Sequence, residues 1–178
     1  MQSLVEAEDA RDITSREETT PDSSADLLLS GDDPSIDVRE LQPDPIHVFR
    51  LWQLFLDRVN PLTKIIHTPT VQPYVIEGAT NIRSLPLPQQ ALLFSIYTMA
   101  IFSLSDSECL EMFNFHRGDA LRRFTQGAKL SLVRFDFLRN ENLATLQALL
   151  LFLVGESYNL FSLTYVLWWM TSGAYCHG

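Results

Sequence analysis

Cysteine is scarce in this sequence, whose 178 residues include only Cys109 and Cys176. The two lie far apart and suggest no disulfide framework, so a reducing compartment is the default expectation. Two distant cysteines also cannot by themselves hold a structural zinc ion, because each such ion needs four nitrogen or sulfur ligands from nearby positions. The acidic amino-terminal residues lack an apolar core segment, and we therefore expect no secretory signal there.

Long hydrophobic runs are missing as well. The longest cover residues 91–104 and 143–154, and both fall short of the ~20 apolar residues that a membrane-spanning helix needs. We therefore expect buried core helices and no membrane partner. Membrane association through residues 143–170 is an alternative, but Glu156, Asn159 and the break at Gly155 argue against it.

Aromatic residues are absent before Phe49, and basic residues are few in the same region. Residues 1–44 carry 13 acidic and 3 basic side chains, whereas residues 45–178 carry 9 and 10. Such a segment cannot bury enough apolar surface to offset its loss of conformational entropy. We predict a disordered acidic leader over 1–44 and a folded body over 45–178. The leader's leucine cluster at 27–29 resembles activation segments in composition, although a solvated linker is the simpler interpretation.

Motifs for catalysis, phosphate binding and metal binding are also lacking. We find no GxSxG elbow, P-loop or GxGxxG sequence. The four histidines, His47, His67, His116 and His177, show neither i, i+4 spacing nor an HExxH context. Cys109 lies near a predicted helix start, which favours a thiolate, but without a placed histidine base a buried structural cysteine is the better interpretation. We predict no catalytic, cofactor or metal site.

Basic residues concentrate between positions 117 and 139 and could face phosphates. The set comprises Arg117, Arg122, Arg123, Lys129, Arg134 and Arg139. Acidic and large apolar residues are interspersed with them, and no alternation of aromatic and basic residues indicates stacking on bases. We therefore predict a solvated face that pairs in part with the acidic leader.

Helical periodicity dominates residues 45–59. Pro45 suits a first helical position, Asp44 can cap the helix, and Asn60-Pro61 should end it. The apolar residues there have the i, i+4, i+7, i+8, i+11 spacing of one buried face. They are Val48, Phe49, Trp52, Phe55, Leu56 and Val59.

Further helices follow along the chain. Thr68 or Thr70 can cap one that ends before Gly78, and residues 105–108 have the capping-box form that starts another. Gly127 costs about 1 kcal/mol relative to alanine, which counts against an unbroken helix around it. The predicted ranges are about 69–77, 88–104, 106 onward, 118–134 and 143–154, the last capped by Asn140 or Asn142.

Three segments, in this order, resemble the middle homology region of fungal zinc-cluster (Zn2Cys6) transcription factors. They read PIHVFRLWQLFLDRVNPLTKIIHTPTVQP, ALLFSIYTMAIFSLSDSEC and LATLQALLLFLV, and the resemblance covers about residues 41–154. The first segment is the most specific, since it joins a tryptophan-containing helix to NPLTKIIHTPT. Its motif positions, expected to be structural, are Phe49, Trp52, Phe55, Asn60, Pro61, His67, Pro69 and Thr70.

The resemblance implies an all-α fold, an irregular multi-helix bundle that serves as the regulatory domain of a nuclear transcription factor. Such a domain is not a catalyst. It would contact the transcription machinery or a partner subunit, while zinc and DNA would be held by a cysteine-rich head that this chain lacks, so no autonomous DNA binding is expected.

The family's domain normally continues past residue 178 through a Gly-Leu-His-like signature. Trp168, Gly173 and His177-Gly178 match it faintly, and we interpret residues 45–178 as a truncated domain. The alternative function is a stand-alone helical module for protein interaction or for sensing a small metabolite in an apolar interior.

Overall fold

The computed structural model describes residues 35–157, and every regular element within that range is helical. The predicted all-α class is therefore confirmed. The elements are α1 (Val38–Leu41), α2 (Pro45–Leu54), a π-turn (Phe55–Val59), α3 (Asn60–Thr63), α4 (Thr68–Thr80), a 3₁₀ turn (Ile82–Ser84), α5 (Leu87–Phe102), α6 (Asp106–Phe113), α7 (Arg117–Arg134) and α8 (143–157). Residues 1–34 and 158–178, which include the faint signature match, lie outside the described residues.

The first long helix does not end at Asn60-Pro61 as predicted. At Phe55 the hydrogen bonding widens into a π-turn, in which the Asn60 N–H donates to the Phe55 carbonyl. Pro61 then falls in the first turn of α3, where a missing N–H leaves no bond unmade. The helical path ends instead at Lys64, which has a left-handed φ of 48°. At the other end Pro45 starts α2 as predicted, but the Asp44 side chain makes no capping hydrogen bond.

The buried face of α2 differs from the predicted one in a single large residue. Val48, Trp52 and Phe55 are buried, as expected, but Phe49 is 45% exposed. Phe49 lies about 100° around the helix from Val48, at the edge of the face that packs on α5. Leu51 and Leu54 complete the buried face in its place.

Helix α5 forms the centre of the core. Every residue from 91 to 101 is buried, which fits its apolar sequence on all sides. Phe94, Tyr97 and Phe124 form a chain of edge-to-face ring contacts, with centroids 5.8 and 5.7 Å apart. These contacts join α5 to α7 along their main packing interface.

Two glycines allow helices to approach α5 closely. A Cβ atom on Gly127 would lie 2.6 Å from the Phe94 ring, and one on Gly78 would lie 2.6 Å from Leu93 Cδ1. Helix α7 runs unbroken through Gly127, and α4 continues through Gly78 to Thr80, contrary to the predicted end before Gly78. At both positions the missing Cβ leaves room for a side chain of α5.

The capping box of α6 is confirmed. The Glu108 N–H donates to Ser105 Oγ at 3.3 Å, and the Ser105 N–H donates to Glu108 Oε2 at 2.8 Å. Arg58 also donates to Glu108 Oε1 at 2.9 Å, which ties α6 to the π-turn. The Arg58 hydrogen bond, together with those from Ser105, lowers the pKa of Glu108 to about 2.

We expect Glu108→Gln to lower the melting temperature at neutral pH. The melting temperature of the variant should also fall less than that of the native protein as the pH is lowered. The pKa of Glu108 is lower in the fold than its usual 4.5, so its stabilising effect is present above pH 4.5 and disappears as the pH falls toward 2. Melting temperatures of both proteins should converge over that interval. Glu111→Gln, exposed on the same helix, is the control; equal effects of the two substitutions would contradict the assignment.

Helix α8 is capped by Asn142, one of the two predicted residues, whose Oδ1 accepts the Ala144 N–H at 2.8 Å. It extends to residue 157, three beyond the predicted end. Gly155 brings it against α5, since a Cβ there would lie 3.1 Å from the Phe102 ring. Gln147 Nε2 donates to the Ile65 carbonyl at 2.8 Å. Within residues 35–157, no helix combines the length and hydropathy needed to cross a membrane.

Candidate interaction surfaces

Residues 35–44 pack onto the helical body although composition assigned them to the leader. Val38 is 2% exposed and Leu41 7%, and α1 lies against α7. Because these two apolar side chains are buried, the folded region begins before residue 44, where composition predicts the end of the leader. For residues 1–34 the disordered leader stays a prediction.

One arginine holds the end of α1. Arg123 Nε donates to the Leu41 carbonyl at 3.1 Å, and its Nη2 donates to the carbonyls of Glu40 and Gln42 at 2.9 and 2.7 Å. The last carbonyls of a helix have no partner within it and carry partial negative charge. A guanidinium on α7 thus satisfies three of them at once.

Other polar contacts secure the same segment. Arg134 Nη2 donates to the Ile36 carbonyl at 2.8 Å, and Arg83 pairs with Asp37 at 2.6 Å. The backbone N–H of Arg39 and the Arg83 side chain both lower the pKa of Asp37. Residues 36–42 are therefore anchored along their length; we call residues 35–42 the docked segment.

We expect Arg123→Lys to lower the free energy of unfolding by about 1–2 kcal/mol, because lysine cannot reproduce the planar fork that reaches three carbonyls. Amide exchange in the docked segment should speed up more than exchange in α5. The matched control is Arg122→Lys, where the charge pairs with Asp119 on the surface and we expect less than about 0.5 kcal/mol. Equal exchange in the two variants would disprove the anchoring role.

The basic set of α7 and its continuation is used within the fold more than predicted. Arg117 donates to the carbonyls of Ile101 and Phe102 at 3.4 and 3.3 Å and lies 5.5 Å from the Phe102 ring centroid. Arg123 and Arg134 bind the carbonyls of the docked segment. Pairing with the leader therefore occurs here through its backbone. Side-chain pairing with residues 1–34 stays a prediction.

The remaining members of the set lie in local pairs or along a groove. Arg122 pairs with Asp119, and Arg139 Nε lies 3.6 Å from Asp136 Oδ2. Lys129 lines the groove beside Arg122. The set is therefore divided among separate contacts instead of forming one phosphate-binding surface.

The aromatic motif residues divide between core and surface. Trp52 and Phe55 stack with centroids 6.1 Å apart and an interplanar angle of 6°, and both are buried. Phe49 instead lines a surface groove with Arg50 and Gln53. Trp52 and Phe55 thus stabilise the body, while Phe49 is available for contact.

The polar motif residues shape the turn between α3 and α4. His67 Nδ1 lies 2.8 Å from Thr70 Oγ1, and the His67 carbonyl accepts the Thr70 N–H. Pro69 lies in the first turn of α4, as Pro61 does in α3. Asn60 accepts the Lys64 N–H through its carbonyl. The predicted caps Thr68 and Thr70 are not caps: His67 occupies the cap position, and Thr70 bonds its ring.

The cysteine and the histidines of the described range have apolar or structural surroundings. Cys109 is fully buried, and burial raises the pKa of its thiol. His47 contacts the Phe113 and Phe115 rings edge-on, and His116 precedes α7. Residues 35–157 contain no group of three or more histidine, cysteine or acidic side chains arranged to hold a metal. His177 and Cys176 lie outside that range.

Within residues 35–157, helix α8 carries a regular row of exposed apolar side chains. Leu143, Leu146, Leu150 and Leu153 are 71%, 54%, 43% and 50% exposed; we call them the leucine stripe. Their 3-4-3 spacing is that of a helix-packing seam. The prediction of a buried core helix over residues 143–154 is wrong for this side of α8, although the 3-4-3 spacing is readable in the sequence.

Known proteins are similar to this chain over the same helical region. A family model described as "Fungal specific transcription factor domain" matches residues 52–178. Pyriculol/pyriculariol biosynthesis cluster transcription factor 1 of Pyricularia oryzae is 51% identical over 140 residues, which is 76% of this chain and 18% of that protein. Aurofusarin cluster transcription factor aurR2 of Gibberella zeae is 42% identical, over 76% of this chain and 20% of that protein.

A third relative, the transcriptional regulator nsrM of Aspergillus novofumigatus, is 34% identical over 79% of this chain and 20% of its own length. The chain thus spans about a fifth of the length of the curated relatives it matches. No solved structure matches it significantly. Since the family model covers most of the sequence and all of α3 to α8, this chain belongs to the fungal-specific transcription factor domain family.

Proposed function

We propose that this chain is a regulatory, protein-contacting domain of a nuclear transcription factor that controls a biosynthetic gene cluster. The observation that carries the proposal is the 51% identity, over 76% of the chain, to a regulator named for such a cluster. The proposal also holds that the domain is not an enzyme, which agrees with the relatives being transcription factors.

Electrostatics favour protein contacts over direct DNA contacts. Residues 45–178 carry nearly balanced charge, and residues 1–44 are strongly acidic. The chain therefore offers DNA phosphates little electrostatic attraction. Arg117, Arg123 and Arg134 are already bonded to backbone carbonyls. DNA contact would then come from a six-cysteine segment or a partner subunit, where zinc would also reside.

Gene deletion tests the regulatory role. Removing the gene in its host and measuring transcripts of neighbouring biosynthetic genes should change their levels together, with genes outside that cluster unaffected. Restoring the gene should restore the transcripts. Unchanged cluster transcripts under conditions in which the cluster is active would refute the proposal.

A gel-shift assay tests the division of labour. The purified 178-residue chain should show no zinc-dependent shift of promoter DNA, at low or physiological salt. Tight, sequence-specific binding by this chain alone would show that it reads DNA itself.

The metabolite-sensing alternative gains little from the grooves. One groove of about 890 Å³ runs beside α7 and the end of α8, and Arg122 and Lys129 line it together with Asp119 and Glu156. Two cations and two carboxylates leave no net charge to select a ligand. A metabolite that raised the melting temperature would nonetheless favour this alternative.

A further inference from the structure

The leucine stripe on α8 requires a cover. Its four leucines are each about half exposed or more, whereas Ala148, Leu151 and Phe152 on the opposite side are buried. Contiguous exposed apolar side chains on one helix face mark a contact site. Their spacing fits a second apolar segment laid along the helix.

The size of the stripe indicates whether it is covered by a separate protein or by a segment of the same chain. From Leu143 to Leu153 the helix rises only about 15 Å, and four partly exposed leucines offer roughly a few hundred Å². A stable interface between separate proteins needs about 800 Å² on each partner. An attached segment binds through a smaller contact, because its effective concentration is high.

The charges around the stripe argue against the acidic leader as the segment that covers it. The charged residues at its two ends, Glu141 and Glu156, are both acidic, and Arg139 is paired with Asp136. The leader's leucine cluster is flanked by Asp26, Asp32 and Asp33. Placing those carboxylates beside Glu141 or Glu156 would cost free energy through desolvation and repulsion.

We propose that residues 160–170 of this chain cover the leucine stripe. This segment reads LFSLTYVLWWM, and residues 158–178 contain no Asp, Glu, Lys or Arg. Only residues 158 and 159 separate it from Ser157, the last described residue of α8, and its eleven residues can span up to about 36 Å, which exceeds the length of the stripe. An uncharged segment rich in leucine and aromatic residues thus meets an uncharged leucine face, at a distance that the chain connection allows.

Tryptophan accessibility tests the proposal in the full chain. Two of the three tryptophans, Trp168 and Trp169, lie in the covering segment, and the third, Trp52, is 6% exposed. We expect acrylamide to quench little of the native emission. In the double variant Leu146→Glu/Leu150→Glu, about two-thirds of the emission should become quenchable, because the ring faces lose their apolar cover.

Ile46→Glu is the matched control, since Ile46 is 68% exposed on α2 and not on the helix that carries the stripe. The single variant Leu143→Glu, at the most exposed stripe position, repeats the test if the double variant loses its helical circular dichroism. Release of emission in the stripe variants alone, with a monomeric mass by light scattering throughout, supports the proposal.

Three results would overturn it. Tryptophans already quenchable in the native chain would show that the segment is free. Equal protection in all variants would place the segment elsewhere. A native dimer that dissociates in the double variant, with tryptophan emission unchanged, would make a second copy the occupant.

Discussion

Replacing Phe55 with alanine will lower the free energy of unfolding by about 3–5 kcal/mol, the usual cost of removing a fully buried aromatic side chain. Phe55 has no exposed surface, and it stacks on Trp52 at the start of the π-turn. Loss of the ring removes apolar burial and leaves a cavity beneath Trp52. Urea denaturation followed by circular dichroism measures the effect.

The matched control is Phe49→Ala, on α2 six residues before Phe55. Phe49 is 45% exposed, so this substitution should cost less than about 1.5 kcal/mol. Equal losses for the two phenylalanines would mean that the helix face is oriented as the sequence pattern predicted, with Phe49 in the core.

Gly127→Ala should destabilise the protein by about 1–3 kcal/mol, as overpacking of a close contact does. Alanine improves helix propensity by about 1 kcal/mol relative to glycine, but its Cβ would lie 2.6–2.7 Å from three atoms of the Phe94 ring. Phe94 is itself fully buried and contacts Tyr97. The steric term therefore exceeds the propensity gain. Thermal denaturation monitored by circular dichroism measures the net effect.

Gly118→Ala, in the first turn of the same helix, should have the opposite sign. A Cβ there meets nothing within 4 Å, so the substitution should stabilise the protein by about 0.4–1 kcal/mol. If both glycine variants shift the melting temperature in the same direction, the close approach of α7 to Phe94 does not govern stability.

Local sequence signals predicted the parts of the fold that depend on local physics. The all-apolar segment gave α5, Ser105 and Glu108 gave the start of α6, and Asn142 gave the cap of α8. Capping and helical periodicity are properties of a few consecutive residues, so they can be read without knowing the neighbours.

Features that depend on distant neighbours were missed. Gly78 and Gly127 resemble helix breakers until Leu93 and Phe94 are known to lie against them. The π-turn is not predicted because the segment is followed by Asn60-Pro61, which normally signals the end of a helix. Contacts of Arg123 span more than 80 residues of sequence, and no local pattern reveals them.

The candidate surfaces show the same division. The motif aromatics Trp52 and Phe55 were correctly placed in the core by periodicity, whereas the exposure of Phe49 depended on how wide a face α5 covers. The leucine stripe has a readable 3-4-3 spacing, but only tertiary packing shows which side of an apolar helix lacks a neighbour.

The bonds from Arg123 and Arg134 have a mechanical consequence for anything attached upstream of residue 35. A pull on that side is transmitted to α7 at two points about three helical turns apart, and α7 packs on α5 through Gly127 and Phe94. Strain from an event near the amino terminus would thus be delivered to the deepest layer of the molecule, instead of being absorbed by slack chain.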